Sequence, residues 1–232
     1  MSERAIKRVL LVGATGLVGR AVIGRGRHIP GLALIGLARR EMDLPRGGPM
    51  EMVIAPTENW PELIAKLAPH AVICALGTTQ ARSGKAGLEA IDRELVLVVA
   101  GAAKAAGTRV FVQVSSVGAD AQSRGFYLRV KGEAEQGLRA LQFDRLDILR
   151  PGLLRGPRPD DARPAERVWQ ALAPLADLAL QGAWQRYRSI AASEVAAAAL
   201  QAVRDPGRGP FVHEHADLRR LAARLAQGPA GC

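Results

Sequence analysis

The sequence predicts an α/β fold built on a doubly wound parallel sheet, with a small C-terminal lobe. Short aliphatic segments alternate with helical patterns over the first two thirds of the chain. The first segment, residues 7–12, is a near-continuous aliphatic run, as expected of a strand buried on both faces. Strands separated by helices pair in parallel through right-handed crossovers. We expect six of them, at residues 7–12, 32–38, 50–55, 71–76, 109–115 and 145–150.

Helical patterns lie between the predicted strands and continue beyond them. They cover residues 16–28, 60–67, 86–106, 127–141, 166–181, 193–204 and 215–226. Ser193, followed by Glu194, is a candidate start for the Ala-rich helix. A loop rich in Pro and Arg at residues 155–165 precedes the last three helices. We therefore predict a single domain over residues 1–232, with a core at 1–154 and a small C-terminal lobe at 155–232.

The composition excludes several classes of protein. With 48% hydrophobic and 23% charged residues, the chain is neither disordered nor collagen-like. Its two cysteines, Cys74 and Cys232, form no disulfide framework or metal-ligand pattern, so we expect a reducing compartment and a cytoplasmic protein. The longest apolar stretch, residues 95–106, contains Lys104 and is too short for a bilayer, so no membrane span is expected.

Arginine carries the net charge of +10, because only five of the 32 basic residues are lysine. The arginines are scattered along the whole length instead of forming one basic segment. Aromatic side chains, which would stack on bases, make up only 4% of the chain. The pattern is typical of an Arg-rich solvated surface and argues against nucleic-acid binding. Attraction to an anionic cofactor or substrate agrees with either interpretation.

A glycine motif follows the first predicted strand and begins the first helix. Gly13, Gly16 and Gly19 are spaced as G-x-x-G-x-x-G. Gly13 would permit the tight turn, Gly16 would let a pyrophosphate approach the backbone at the helix N-terminus, and Gly19 would let the helix pack close to the sheet. The motif alone is weak evidence, but a strand before it and a helix after it predict an NAD(P)-binding Rossmann fold, with residues 1–154 as the dinucleotide-binding core.

Two arginines indicate which dinucleotide is preferred. Arg39 and Arg40 end the second predicted strand, about 20 residues after Gly19. An acidic residue there would accept hydrogen bonds from the ribose 2′-hydroxyl of NAD, whereas a guanidinium suits the 2′-phosphate of NADP. We therefore expect NADP(H) to be preferred over NAD(H).

A tyrosine and a lysine provide the candidate chemistry. Tyr127 and Lys131 are four residues apart in a predicted helix, which places both side chains on one face. A nearby ammonium stabilises a phenolate, so Tyr127 could pass a proton to or from a substrate oxygen while a hydride moves to or from carbon. Ser115 and Ser116 end the fifth predicted strand, where a hydroxyl could bind the same oxygen. We choose Ser116, with Ser115 as the alternative.

Together these features resemble the short-chain dehydrogenase/reductase superfamily, and more narrowly its atypical branch typified by the HIV Tat-interacting protein oxidoreductases. The matching segments are GATGLVG at 13–19, CALGTT at 74–79, GKAGLEAIDRELV at 84–96, VSSVGAD at 114–120, FYLRVKGEAE at 126–135 and FDRLDILRPGLL at 143–154. The resemblance runs in order from residue 6 to about residue 155, and the rest of the chain is less distinctive.

The resemblance implies a role for each matching position. Residues of the glycine motif would hold the pyrophosphate: Gly13, Thr15, Gly16, Leu17, Val18 and Gly19. Arg39, with Arg40 as second choice, would meet the 2′-phosphate, and Leu76 and Gly77 would line the cofactor. Tyr127 would be the proton donor or acceptor, and Lys131 would hold the nicotinamide ribose. The segment Pro151, Gly152 and Leu153 would lie beside the nicotinamide. One departure is that Ile54, Ala55 and Pro56 offer no acidic residue for the adenine.

The function predicted from these residues is an NADP-dependent oxidoreductase acting on a small carbonyl or alcohol. The alternative is a non-catalytic NADP(H)-binding module that senses redox state or binds a protein partner. The short C-terminal lobe argues against a nucleotide-sugar substrate, although such sequences resemble NAD-dependent epimerases and dehydratases. Arg155 and Arg158 follow the sixth strand, so an anionic substrate is a hypothesis. The helices at 86–106 and 127–141 could pair across a homodimer or simply cover the sheet.

Overall fold

The computed structural model describes residues 7–42, 50–156 and 181–227. The strands are β1 (Lys7–Val12), β2 (Leu32–Ala38), β3 (Met50–Ile54), β4 (Ala71–Cys74), β5 (Val110–Val114), β6 (Arg145–Leu149), β7 (Leu154–Arg155), β8 (Ile190–Ala191) and β9 (Gly209–His213). The α-helices are α1 (Leu17–Gly26), α2 (Trp60–Leu67), α3 (Gln80–Glu89), α4 (Val96–Ala105), α5 (Phe126–Ala140), α6 (Ala192–Arg204) and α7 (His215–Ala226). A π-helical segment, Ala90–Leu95, joins α3 to α4, and 3₁₀ turns cover Thr57–Asn59 and Gly182–Tyr187.

Seven parallel strands form the main sheet in the order β3-β2-β1-β4-β5-β6-β9. The central strand β1 pairs with β2 on one side and β4 on the other, so that Val12 lies beside both Leu37 and Cys74. The strand order reverses at this point, and ligands of open α/β sheets bind at the carboxyl ends of the strands there. The predicted doubly wound Rossmann sheet is thus confirmed.

Helices cover both faces of this sheet, which explains why its central strands are aliphatic throughout. Val9 and Leu11 face a core shared with α1, α6 and α7. Leu10 and Val12 face a second core shared with α2 and α4. Successive side chains of a strand point to opposite faces, so a strand with helices on both sides needs apolar residues at every position.

Strand β9 is absent from the sequence prediction, which gave six strands. It has the sequence GPFVH and is only partly buried, because it forms the edge of the sheet beside β6. An edge strand tolerates Pro210, whose missing N–H would interrupt the ladder of a central strand. The described part of the C-terminal range therefore adds β9 to the main sheet and α6 to one of its cores.

Two predicted helices differ from the structure. The helix predicted at 86–106 begins earlier, at Gln80, and is interrupted at Gly84, whose φ of 68° is non-helical, and again by the π-helical segment. The helix predicted from Ser193 begins at Ala192, and the Glu194 carboxylate accepts a hydrogen bond from the Ala191 N–H at 3.2 Å. The helix predicted at 166–181 lies, but for its last residue, outside the described residues.

A close backbone contact fixes α5 against the loop that follows β5. A Cβ atom on Gly132 would lie 2.1 Å from the Ala121 nitrogen and 2.2 Å from the Asp120 carbonyl carbon. No side chain fits there without moving the backbone. The contact positions the start of α5, which carries Tyr127, relative to Ser116.

We expect Gly132→Ala to destabilise the protein by ~1–3 kcal/mol, the range for overpacking a tight contact. Gly24→Ala is the matched control, since no atom lies within 4 Å of its added Cβ. Alanine in a helix interior is favoured over glycine by ~0.5–1 kcal/mol, so this variant should be as stable as the parent or more so. Urea denaturation measures both changes, and equal effects of the two substitutions would contradict the packing argument.

Candidate functional site

The glycine turn between β1 and α1 brings the ends of β1 and β4 into contact. Gly13 has a φ of +85°, and a Cβ there would lie 2.5 Å from the Ala75 carbonyl. A Cβ on Gly19 would lie 2.2 Å from the Gly13 oxygen, so these two glycines are required by packing. Gly16 differs, because its nearest neighbour would be the Gly13 oxygen at 3.4 Å. Its backbone is open on the side where an anion would approach.

A cavity of about 550 Å³ opens at the carboxyl ends of β1, β2 and β4. Its volume lies in the range of small-molecule sites. Seven of the predicted cofactor residues line it: Gly13, Thr15, Gly16, Arg39, Arg40, Leu76 and Gly77. Val18 and Gly19 are buried behind the turn, and Leu17 is half-buried. These three residues form the first turn of α1, where backbone N–H groups have no acceptor within the helix.

Four arginines surround this cavity. Arg39 and Arg40 are exposed at the end of β2, as predicted. Arg20 and Arg82 also line the cavity, and Arg20 Nε donates a hydrogen bond to the Thr15 oxygen at 3.1 Å. Among the described residues, Glu41 is the one carboxylate in the lining, and it follows the two predicted arginines directly. The lining is therefore strongly positive, which suits a phosphate-bearing ligand.

A buried ion pair lies beside the cavity. Lys131 Nζ is 2.7 Å from Asp92 Oδ1, with the two side chains 4% and 0% exposed. The other oxygen, Asp92 Oδ2, accepts a hydrogen bond from the Thr78 N–H at 2.8 Å. Burial acts to lower the pKa of Lys131, but attraction to Asp92 and to Tyr127 outweighs it and raises this pKa above its usual 10.5. Lys131 therefore stays charged throughout the physiological pH range.

Gly77 joins this ion pair to the cavity. It lines the cavity, and a Cβ on it would lie 3.5 Å from Asp92 Oδ1 and 3.7 Å from Lys131 Nζ. Tyr127 is half-buried one helical turn before Lys131, on the same face of α5. Lys131 of the sequence-predicted Tyr–Lys pair thus stands next to Gly77, whereas Tyr127 is not part of the cavity lining.

The two serines after β5 have different partners. Ser115 is buried and its hydroxyl donates to Glu135 Oε1 at 2.6 Å. The same carboxylate receives two hydrogen bonds from Arg150, at 3.0 and 2.6 Å. Ser116 is half-buried and makes only a local contact with the Val117 oxygen, at 3.3 Å. Its hydroxyl is the one that can turn towards a ligand.

The predicted nicotinamide segment is not part of the cavity lining and lies beside the loop of Ser116 and Val117. The Pro151 oxygen accepts a hydrogen bond from the Val117 N–H at 3.0 Å. Gly152 packs tightly, because a Cβ on it would lie 2.4 Å from the Arg188 oxygen. Leu153 is 52% exposed. Arg158 falls outside the described residues.

Three residues that the sequence analysis missed belong to the site: Asp92, Arg20 and Arg82. Asp92 was hidden in a segment whose predicted continuous helix gave it no special position. The sequence does not distinguish it, because Glu89 and Glu94 are carboxylates of the same helical pattern. Arg20 follows the last glycine of the motif directly, and Arg82 has no signal in the sequence.

Two kinds of feature are absent from residues 7–42, 50–156 and 181–227. No helix in these ranges is long and apolar enough to cross a membrane. No group of three or more His, Cys, Asp or Glu side chains in the same ranges could hold a metal ion.

The sequences of two curated relatives align with most of this chain. A protein of Emericella nidulans, "Protein fmp52, mitochondrial", is 39% identical over 168 residues, covering 69% of this chain and 72% of the relative. "Protein HTATIP2" of Rattus norvegicus is 32% identical over 207 residues, covering 88% and 84%. The mitochondrial designation of fmp52 contradicts the cytoplasmic location predicted above. That prediction was wrong because a low cysteine count reports on redox conditions and not on the organelle.

Solved structures share the fold. The Bordetella bronchiseptica enzyme WbmG in complex with NAD has a TM-score of 0.66 at 14% identity, covering 100% of this chain and 81% of its own. The Helicobacter pylori ADP-L-glycero-D-manno-heptose-6-epimerase has a TM-score of 0.65 at 15% identity, covering 98% and 84%. At these identities the likeness concerns the fold alone.

A family model described as NAD(P)H-binding matches residues 13–206, from the first glycine of the turn to the residue after α6 and its C-cap. The match spans most of the chain and includes every element that lines the cavity. The family match, the rat relative and the Rossmann sheet all indicate the same family. The chain belongs to the NAD(P)H-binding family, as an atypical member of the short-chain dehydrogenase/reductase type related to HTATIP2.

Proposed function

We propose that this protein is an NADP(H)-dependent oxidoreductase that transfers a hydride between the nicotinamide and a small carbonyl or alcohol. The observation that carries the proposal is the buried Lys131–Asp92 pair next to Gly77 of the cavity, with Tyr127 one helical turn before Lys131. A proton-transferring phenol, a fixed ammonium and a positively charged cavity of small-molecule size together fit carbonyl reduction better than binding alone.

The cavity residues fit a dinucleotide with an extra phosphate. The open backbone at Gly16 and the N-terminus of α1 would hold the pyrophosphate, and Arg20 would add a guanidinium. Arg39 and Arg40 would bind the 2′-phosphate, which favours NADP(H) over NAD(H). The bound cofactor would supply or accept the hydride.

The remaining chemistry falls to side chains of this chain. Tyr127 Oη would donate a proton to the substrate oxygen in reduction and accept it in oxidation. Lys131, kept charged by Asp92, would stabilise the negative charge on that phenol and bind the cofactor ribose. The Ser116 hydroxyl would donate a hydrogen bond to the same substrate oxygen.

The first test is Tyr127→Phe. We expect turnover of small aldehydes, such as 4-nitrobenzaldehyde, to fall at least ~100-fold, because general acid catalysis contributes ~10²–10⁴-fold. The affinity for NADPH should stay within about twofold of the parent. Turnover is followed by NADPH oxidation and affinity by calorimetry.

Tyr187→Phe is the matched control, since Tyr187 is the only other tyrosine in the chain. Undiminished turnover by Tyr127→Phe would refute the assigned role. Clear NADPH binding by a parent protein that reduces no aldehyde or ketone would favour the non-catalytic module instead.

The second test reverses the charge of Arg39 and Arg40 to Asp, singly and together. We expect the Kd for NADPH to rise ~10–100-fold, because each lost hydrogen bond to a charged group is worth ~1.5–3 kcal/mol. The Kd for NADH should fall or stay constant. Arg208→Asp, at an exposed position far from the cavity, controls for net charge. A Kd ratio of the two cofactors that does not change would exclude a 2′-phosphate contact.

The third test is Asp92→Asn, which removes the counter-charge of Lys131. We expect the free energy of unfolding to fall by ~3–5 kcal/mol at pH 7, as for other broken buried pairs. Asp144→Asn, which breaks the exposed pair with Arg109, is the control and should change stability little. Urea denaturation measures both variants.

The pH dependence of stability should also change sign in Asp92→Asn. In the parent the pKa of Lys131 is raised, so its stabilising charge is present below pH 10.5 and lost as the pH rises through the higher folded-state value. In the variant the attraction to Asp92 is lost and burial is the largest remaining effect on this pKa, so the pKa falls and stability should increase as the pH rises towards 10.5. Parallel profiles for parent and variant would contradict the assigned coupling.

A further inference from the structure

Arg155 is a half-buried guanidinium without a partner among the described residues. Its Nε atom is enclosed from solvent and makes no hydrogen bond, and no ion pair reaches its side chain within these ranges. Two other arginines that are withdrawn from solvent have carboxylate partners: Arg145 pairs with Asp147, and Arg150 pairs with Glu135. Withdrawing a polar group from water without a partner is unfavourable. Because buried polar groups normally have hydrogen-bond partners, we expect the guanidinium of Arg155 to bind an anion.

Arg155 lies on a segment that crosses the carboxyl end of the sheet. At one end of this segment, Pro151 is hydrogen-bonded to the loop of Ser116 and Val117. At the other end, a Cβ on Gly156 would lie 2.9 Å from Cδ1 of Leu17, the first residue of α1. Arg155 thus stands between the candidate substrate-binding serine and the glycine turn.

Two short strands fix this segment in place. Leu154 and Arg155 form β7, which pairs in parallel with Ile190 and Ala191 of β8. Ile190 is fully buried in the core, so the pairing holds the backbone of Arg155 at a fixed height above the sheet. A guanidinium on a fixed backbone loses less conformational freedom on binding than one on a loop.

If the cavity holds the cofactor, Arg155 does not bind the phosphates of the cofactor. The cavity lining includes Arg20, Arg39, Arg40 and Arg82, and it does not include Arg155. The phosphates of the dinucleotide therefore already have cations of their own. The planar guanidinium fork of Arg155 remains for a second anion, and it matches a carboxylate or a phosphate.

We infer that Arg155 binds a carboxylate or phosphate group of the substrate. The inference rests on the proposed function and narrows it to carbonyl compounds or alcohols that carry an anionic group. With the anion on Arg155, the rest of such a substrate extends towards Ser116. Arg155 then determines specificity and takes no part in the proton transfer by Tyr127.

The test compares pairs of substrates in which one member carries an anionic group and the other is neutral. One pair is 4-carboxybenzaldehyde and its methyl ester, and the other is glyceraldehyde 3-phosphate and glyceraldehyde. We expect the parent to prefer the anionic member of at least one pair by ~10-fold or more in kcat/KM, the effect of one charged hydrogen bond. The two pairs distinguish a carboxylate from a phosphate.

Arg155→Met should abolish this preference while leaving the turnover of the neutral member and the Kd for NADPH unchanged. Arg155→Lys should keep part of the preference, because an ammonium still attracts the anion. Arg208→Met removes the same charge at an exposed site and should behave like the parent. Equal use of both members by the parent, or a preference that survives in Arg155→Met, would overturn the inference. A higher Kd for NADPH in Arg155→Met would instead mean that this residue binds the cofactor, and that result would also overturn the inference.

A binding measurement keeps the test independent of turnover. The protein saturated with NADPH is titrated with benzoate and with inorganic phosphate in a calorimeter. We expect one of these anions to bind the parent at least ~10-fold more tightly than Arg155→Met. If no aldehyde is reduced, the proposed function fails, and this titration still decides whether Arg155 is an anion site. Absence of binding by the parent would refute the site.

Discussion

The ion pair of Asp92 and Lys131 is the interaction on which the arrangement of the site depends. It joins the π-helical segment to α5, and through the Thr78 N–H it also fixes the loop after β4. Neither group could remain charged at this depth without the other. Three elements that approach the cavity from different directions are therefore held at one point by a single pair of charges.

Charge is also organised on a larger scale. The buried Arg145 is neutralised by Asp147, and the half-buried Arg150 by Glu135. Within the described ranges, the arginines that line the cavity have only Glu41 among them. Arginines that are scattered along the sequence thus come together around the cavity and make its lining positive. Such a cavity concentrates anions and accelerates their association, more strongly at low ionic strength.

The sequence allowed the sheet to be predicted in detail because its signals are local. The aliphatic run at β1, the spacing of Gly13, Gly16 and Gly19, and the four-residue interval between Tyr127 and Lys131 each depend on a few neighbouring residues. Features that depend on contacts distant in sequence could not be predicted. The role of Asp92 requires knowing that Lys131 lies opposite it, and β9 gains its status as a strand only from β6 beside it. The division of labour between Ser115 and Ser116 is likewise decided by Glu135, twenty residues from Ser115.

The π-helical segment Ala90–Leu95 makes the site sensitive to the deletion of a single residue there. A wider turn accommodates one residue more than a regular α-helix of the same rise, and such turns are frequent at functional sites. Each residue of a regular helix advances the side chains by ~100°. A single-residue deletion before Asp92 that restored a regular helix would turn this carboxylate away from Lys131, while α4 beyond it could keep its packing. Insertions and deletions are usually tolerated in loops and harmful in cores. In this case α4 would retain its core contacts, but Asp92 would no longer face Lys131.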